Sequence, residues 1–346
     1  MKSLKIGITH GDINGIGYEL ILKLLQEPEM LELCTPVIFG CQKVADETAQ
    51  ALNLEMLPFY LCETAADALE GRINLIDVCK EEVPVLNFGQ QTEEALKAEA
   101  NSLTAALEAY RNLDIDVLVT LPGGLSNTDG SHSLTNFISR ALGMTEAKIF
   151  DWSINGKLRA LEIHAQDAST ELGEGLAAEA LQQDIKAINF SIRQDYMLLR
   201  PRIALVSSIS KTRGDLIELH EEGINAFGPF AGQTFIDNGW QSHYDACLFL
   251  DESQALSHVM DGLSQEHTIG YVSGLPVVLT YPMLGISYEI AGKGEASEVS
   301  LREAIYAAID IYRSRSTYRH CTRSPLEKQW IPRGRDDVKL DLTKEE

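Results

Sequence analysis

The segment KIGITHGDINGIGYELILKLL, residues 5–25, contains the three patterns that decide the fold. Lys5–Thr9 is a short apolar strand, residues 11–17 (GDINGIG) form a glycine-rich turn, and residues 18–25 continue with helical apolar spacing. The same order of strand and helix recurs along the chain. Such alternation predicts an α/β fold, with a parallel or mostly parallel sheet and helices on both faces.

Further elements follow from the spacing of apolar residues. Strands are predicted at residues 35–39, 74–78, 116–120, 157–163, 201–207, 246–250 and 275–280. Helices are predicted at residues 45–52, 92–112, 168–190 and 299–312. The chain turns polar after about residue 316, and we expect residues 317–346 to form a loosely ordered tail.

The composition limits the partners. The 346 residues include 51 acidic and 29 basic side chains, for a net charge of -22. Nucleic acid and anionic membranes would be repelled by such a surface, so neither is expected as a partner. A small phosphorylated metabolite stays compatible, because local cations or helix N-termini can hold it. No signal segment and no apolar run of about 18 residues is present, so a soluble cytoplasmic protein is expected.

Lone residues give weak local indications of chemistry. His10 and His164 each follow a predicted strand, the position where open α/β sheets bind ligands, and His132 lies in a polar loop. No HxxxH or HExxH spacing occurs, so a metal centre would assemble from distant segments. The GDINGIG loop fits a ligand loop and a tight structural turn equally well. The six cysteines form no CxxC pair and are expected to be reduced thiols.

Several blocks together resemble one family over about residues 5–315. They are ITHGDINGIGYE (8–19), DVLVTLP (116–122), RPRIALVS (200–207), GLPVV (274–278) and YEIAGKGEAS (288–297). The first block is similar to the signature ITxGDxxGIGxE of the 4-hydroxythreonine-4-phosphate dehydrogenase family of pyridoxal phosphate biosynthesis. The last block is the most specific. The chain is identified by these blocks as a divergent member of that family.

The resemblance implies a three-layer α/β/α fold like that of isopropylmalate dehydrogenase, with two lobes and a central cleft. Residues 1–132 and 286–316 would form the first lobe, and residues 133–285 the second. It also implies a homodimer whose active site includes residues of the second subunit. In such a site NAD takes a hydride from the substrate alcohol. A divalent metal (zinc, magnesium or cobalt), held by three histidines, assists the oxidation and decarboxylation.

The family's site residues carry over only in part. Thr135 keeps the substrate-contacting threonine, and His164 keeps the first metal histidine. The second and third metal histidines fall on Lys211 and Glu252, and the HGTA segment near the cofactor becomes LGIS, with Gly285 at its second place. The family's lysine, histidine, second lysine, asparagine and arginine fall, in chain order, on Leu125, Leu134, Met260, Gly270 and Leu279.

These replacements bear on activity, because one lost contact to a transition state costs about 2.7–4 kcal/mol. Three hypotheses follow. The chain is an active dehydrogenase in which His132, His258 or His267 fill the missing places; or it is catalytically silent and acts by association, for instance in mixed dimers with an active paralogue. In the third, it binds or converts a different small molecule through a set of cleft residues: His10, Asp12, Thr135, His164, Lys211 and Glu252.

Overall fold

The computed structural model describes residues 3–79, 83–124, 134–144, 148–163, 173–208 and 213–323. The strands of this part of the chain are β1 Lys5–Thr9, β2 Thr35–Gly40, β3 Phe59–Cys62, β4 Ile73–Asp77, β5 Val117–Val119, β6 Phe150–Asn155, β7 Leu158–Ile163, β8 Arg202–Val206, β9 Asn225–Phe230, β10 Ala246–Leu250, β11 Thr268–Ser273 and β12 Val278–Pro282. The helices are α1 Gly17–Leu24, α2 Glu29–Leu33, α3 Gln42–Ala51, α4 Glu93–Arg111, α5 Leu134–Ala141, α6 Gly173–Tyr196, α7 Arg213–Glu221, α8 Gly232–Asp237, α9 Ser253–Asp261 and α10 Val299–Arg323.

The described strands form one sheet in the order β3-β4-β2-β1-β5-β12-β11-β6-β7-β10-β8-β9. Pairing is parallel on both sides of a central group, in which β11 is antiparallel to β12 and β6, and β6 is antiparallel to β7. The predicted mostly parallel sheet is therefore confirmed. The division into lobes at residues 133 and 286 stays a prediction. β12, which belongs to the segment assigned to the second lobe, pairs with β5 of the first lobe.

Helices cover both faces, as the alternation of side chains along the strands requires. Ile38 of β2 packs into the apolar cluster that contains α1, α6 and α10. Its neighbours Val37 and Phe39 point to the opposite face and pack into the cluster that contains α4. Near-continuous apolar strands of this kind are buried on both faces. The α/β/α architecture is confirmed.

The first helix is held to a loop far along the chain. Lys23 Nζ donates to Glu19 Oε1 at 2.8 Å and to the carbonyl oxygens of Gly294 and Ala296 at 2.8 and 2.6 Å. The backbone N–H of Ala296 donates to the same Glu19 oxygen at 2.8 Å. The first and last blocks of the family resemblance therefore meet in space, and these side chains serve the fold.

The end of the last helix corrects two predictions. The helix starting at Val299 continues to Arg323, whereas the apolar spacing predicted an end at residue 312. Residues 317–323 are thus helical, and their assignment to a loose tail was wrong; residues 324–346 lie outside the described part. In the last turns, the ring of Tyr318 packs edge-on against Phe190 of α6.

A buried ion pair anchors the same helix. Arg315 of α10 donates through Nε to Asp195 Oδ1 of α6 at 2.5 Å and through Nη2 to the hydroxyl of Tyr271 in β11 at 2.8 Å. That hydroxyl donates to Asp195 Oδ2 at 2.5 Å. Arg315 also donates to the Leu275 carbonyl oxygen at 3.1 Å. These bonds satisfy both buried charges, so the pair ties α10 and α6 to the sheet.

Removing the arginine should expose the cost of the unpaired carboxylate. We expect Arg315→Met to lower the free energy of unfolding by about 3–5 kcal/mol, because Asp195 stays buried without its partner. Urea denaturation followed by circular dichroism measures this. The control is Lys43→Met, which removes an exposed pair with Glu47 at 3.9 Å and should cost no more than about 1 kcal/mol. Equal losses in both variants would contradict the anchoring role.

Candidate active site

A cavity of about 200 Å³ lies where the parallel strands β1, β5 and β12 end. It is lined by residues 120–123, by Leu134 at the start of α5, and by residues 281–286. Carboxyl ends of adjacent parallel strands are the usual place for ligands in open α/β sheets. Thr135 is half-buried beside Leu134, and Gly285 lines the cavity. Both predicted residues therefore lie at this edge of the sheet.

His10 is a buried part of the scaffold. Its Nδ1–H donates to the carbonyl oxygen of Gly11 at 2.7 Å, and its ring stacks on Tyr18 with centroids 5.2 Å apart. Burial lowers the pKa of His10 to about 4, against the opposing effect of the Gly11 and Ala98 carbonyls. The imidazole is neutral at neutral pH. Its predicted place in the cleft lining is not supported, because the side chain is fully enclosed.

Asp12 is also fully buried, and both of its carboxylate oxygens accept hydrogen bonds from other residues of the chain. Oδ1 accepts from the backbone N–H of Asn14 at 2.7 Å, and Oδ2 accepts from the hydroxyl of Tyr288 at 2.6 Å. Its backbone N–H donates to the Pro122 carbonyl oxygen at 3.0 Å. Burial, followed by the bond to Asp12, raises the pKa of Tyr288. Asp12 thus holds the glycine-rich loop to the β5 and β12 loops.

The glycines of the loop are required by close backbone contacts. Gly11 has φ +66, and a Cβ there would lie 2.2 Å from the Pro122 carbonyl oxygen. A Cβ at Gly17 would lie 2.0 Å from the His10 carbonyl oxygen. No side chain fits these places. Of the two interpretations of GDINGIG, the contacts favour the tight structural turn.

Glu99 was not predicted from the sequence. It is buried on α4, and a Cβ at Gly123 would lie 1.9 Å from its Oε1. The carboxylate therefore lies directly under the loop that follows β5. The sequence contains a usable indication, because Glu99 stands in the inward stripe of α4 beside Ala95, Ala98 and Ser102.

Tyr281 covers a position that carries no side chain. It is paired across the antiparallel strands with Gly270, and a Cβ on that glycine would lie 2.0 Å from the ring atom Cζ. The hydroxyl donates to Asp151 Oδ1 at 2.6 Å. Desolvation of the carboxylate raises the pKa of Asp151 to about 6, and the hydrogen bond from Tyr281 opposes this shift. The ring occupies the space above Gly270.

The structure does not bring Glu252 to this cavity. Glu252 follows β10, four strands away from β12 in the sheet, or roughly 19 Å at the usual spacing. Because direction reverses at β11, β6 and β7, β10 runs opposite to β12, so the carboxyl ends of the two strands lie at opposite sheet edges. The Glu252 carboxylate lies instead against the start of α8, because a Cβ at Gly232 would lie 3.0 Å from its Oε2.

The remaining candidates divide into two groups. His132, His164 and Lys211 lie outside the described residues. His258 is exposed on α9, and exposed His267 lies 3.5 Å from Glu303, so neither substitutes for a residue of the cavity.

The donor set that the resemblance assigns to the metal positions is a weak one for a divalent ion. It consists of one imidazole, one carboxylate and an ammonium group, which repels cations unless neutral. Within the described ranges, no three His, Cys, Asp or Glu side chains are placed to hold a metal ion. No helix in the same ranges has the length and apolar character of a membrane span.

Comparison with known proteins identifies the relatives. The model of the pyridoxal phosphate biosynthetic protein PdxA matches residues 32–207 and 212–308. The 4-hydroxythreonine-4-phosphate dehydrogenase of Bacteroides thetaiotaomicron is 35% identical over 360 residues, which cover 99% of this chain and 98% of the relative.

Solved structures agree in fold. The enzyme of that name from Burkholderia phymatum aligns with a TM-score of 0.65 at 22% identity, covering 90% of this chain and 99% of the other. The Klebsiella pneumoniae enzyme gives 0.68 at 19% identity, covering 90% and 100%. Because the family model matches most of the chain and the Bacteroides relative is similar over nearly its full length, the chain belongs to the PdxA family of NAD-dependent dehydrogenases.

Proposed function

We propose that this family member does not oxidise 4-hydroxythreonine-4-phosphate with NAD and a metal, and that its cleft binds a small molecule without a phosphate group. The observation that carries the proposal is the Tyr281 ring above Gly270. The family's asparagine falls on Gly270, and its side chain would need the space that the ring fills. The replacement is therefore accompanied by repacking.

Other substituted positions support the same conclusion. Leu279, at the family's arginine position, is fully buried in the apolar cluster that contains α4. Met260, at a lysine position, packs against the cluster around Phe235 and Phe249. Leu134, at a histidine position, lines the cavity. Side chains that would hold a phosphate or a transition-state charge are replaced by side chains that contribute to apolar packing, and the loss of one transition-state contact costs about 2.7–4 kcal/mol of stabilisation.

The cavity itself suits a small uncharged ligand. Its 200 Å³ are below the roughly 300–1,000 Å³ of most ligand sites, and no Lys, Arg or His is among the described residues that line it. Thr120 lines it, and the buried Thr120 hydroxyl has no hydrogen-bond partner among the described residues. A ligand hydroxyl or carbonyl would satisfy this group. Leu121, Met283 and Leu284 would contact an apolar part.

We also propose that the protein is a homodimer. Thr135 and Gly285 lie at one edge of the sheet, and Glu252 lies at the opposite edge, so one chain does not assemble the family's site around this cavity. A second copy that brings its Glu252 edge to the cavity would complete it. A mixed dimer with an active relative would pair a repacked cavity with a functional metal edge. The silent chain would then change the partner's output.

The repacking can be tested by restoring the family residue. Gly270→Asn should lower the free energy of unfolding by about 1–3 kcal/mol, because its Cβ overlaps the Tyr281 ring. Tyr281→Ala removes the ring, so Gly270→Asn should cost less in that background. Urea denaturation of the four proteins gives the coupling free energy. Additive losses in the double variant would contradict the contact.

Catalysis is tested directly. The purified protein is incubated with 4-hydroxythreonine-4-phosphate, NAD and zinc, magnesium or cobalt, and NADH absorbance is followed, with the Bacteroides relative as the positive control. We expect turnover at least about a thousandfold below the enzyme median near 10 per second. Turnover above about 1 per second would overturn the proposal.

Binding is measured in the same preparation by calorimetry. Unphosphorylated 4-hydroxythreonine, which has a hydroxyl in place of the phosphate group, should bind more tightly than its phosphate ester. Thr120→Val keeps the shape of the side chain and should weaken that binding. Tighter binding of the ester would refute the assignment of a phosphate-free ligand.

The oligomeric state is tested by sedimentation equilibrium. We expect a dimer for the chain alone, because the two groups of site residues lie at opposite sheet edges. Co-expression with a differently tagged active relative should yield a mixed dimer on sequential affinity purification. A chain that sediments as a monomer at micromolar concentration would contradict the dimer proposal and leave the catalytic proposal to its own assay.

A further inference from the structure

Two cysteines lie side by side outside the cavity just described. Cys41 follows β2, and Cys79 follows β4, which pairs with β2 in parallel register, Gly40 opposite Asp77. The pairing extends one step further, since the Val78 N–H donates to the Gly40 carbonyl oxygen at 2.9 Å. Both thiols are buried in one small apolar cluster. The adjacent strand ends therefore place the two cysteines in the same buried cluster.

The surroundings distinguish the two thiols. The neighbouring Cys79 thiol and the backbone N–H groups at the start of α3 lower the pKa of Cys41, while burial and Asp77 oppose the shift. Cys41 and burial raise the pKa of Cys79. Cys41 is therefore the member of the pair that more readily forms the thiolate, the reactive form.

The other buried cysteines are in different settings. Burial raises the pKa of Cys34 to about 12 and that of Cys247 to about 12, and it also raises that of Cys62. Cys321 is exposed on the last turn of α10. The reactivity of the pair is thus not a general property of the thiols in this chain.

A cavity borders one of the two cysteines. It has a volume of about 660 Å³, and Cys79 is among its lining residues together with Val83, Val85, Glu93 and Lys97. It lies apart from the 200 Å³ cavity, with no lining residue in common. A small uncharged molecule that enters it reaches the Cys79 side chain, and Cys41 packs in the same buried cluster as Cys79.

We propose that Cys41 and Cys79 form an oxidation site that reacts with small hydroperoxides and closes to a disulfide. The Cys41 thiolate attacks one peroxide oxygen, the O–O bond breaks, and the leaving hydroxide or alkoxide takes up a proton. The resulting Cys41 sulfenic acid is attacked by the Cys79 sulfur. The S–O bond breaks, the S–S bond forms, and the proton of Cys79 leaves with the hydroxide as water. Two thiols are oxidised and one peroxide is reduced.

The site is connected to the glycine-rich loop. The backbone N–H of Cys41 donates to the Tyr18 hydroxyl at 2.7 Å, and Tyr18 stacks on His10. A change in the backbone at Cys41 therefore reaches the first residue after β1 through two contacts. The modification would act on the scaffold of the candidate active site rather than on a residue that lines its cavity.

The test uses the full chain with Cys321→Ser, which removes the exposed thiol. The protein is treated with hydrogen peroxide at pH 7, alkylated under denaturing conditions, digested and analysed by mass spectrometry. We expect a linked Cys41–Cys79 peptide to form at least ten times faster than any oxidation of Cys34 or Cys247. In Cys79→Ser, Cys41 should stop at the sulfenic acid, which dimedone traps.

Two results would overturn the proposal. One is oxidation of Cys34 or Cys247 at the same rate as the pair, which would indicate unfolding or random access. The other is that Cys41 and Cys79 are still fully alkylated, and therefore unoxidised, at a time when an exposed thiol added as a reference has been oxidised. Neither measurement depends on the dehydrogenase assay or on ligand binding.

Discussion

The reversal of strand direction at the centre of the sheet is the constraint on which the rest of the structure depends. β11 is antiparallel to both neighbours and β6 is antiparallel to β7, so the two parallel halves run in opposite directions. The strands β1, β5 and β12 therefore end at one edge, and β7 and β10 end at the other. The proposed homodimer would bring the residues at these two edges together, which makes association part of the question of function.

The scaffold persists because its sequence blocks are fixed by packing, independent of chemistry. Gly11 and Gly17 allow backbone contacts that exclude any Cβ. Glu19 and Lys23 hold the loop before α10, and Asp12 accepts the hydroxyl of Tyr288. Loss of any of these groups would destabilise the fold whether or not a reaction occurs. A family resemblance built on such blocks therefore indicates ancestry and fold far more strongly than it indicates activity.

The sequence predicted the buried elements best. β1 and β10 match residue for residue, because fully apolar runs between polar loops have few alternatives. β3 was missed because only one of its four residues is buried, and α10 was predicted too short because Arg315 interrupts the apolar stripe while binding Asp195. In the candidate site, the resemblance indicated that Gly270 stands where the family has an asparagine. That the Tyr281 ring covers Gly270 could not be predicted, because it depends on the register of β11 and β12, which apolar spacing alone does not determine.

The protonation states at the first edge describe what the cleft can do. His10 is neutral because it is buried, and the raised pKa of Tyr288 keeps its phenol protonated while Asp12 is occupied by that phenol and by Asn14. A general acid–base catalyst needs a pKa near the working pH and contact with the ligand. Asp151, whose pKa is raised by desolvation, is not among the residues that line the cavity, and its carboxylate accepts the hydroxyl of Tyr281. Among the described residues that line it, this cavity offers a ligand hydrogen bonding and apolar contact.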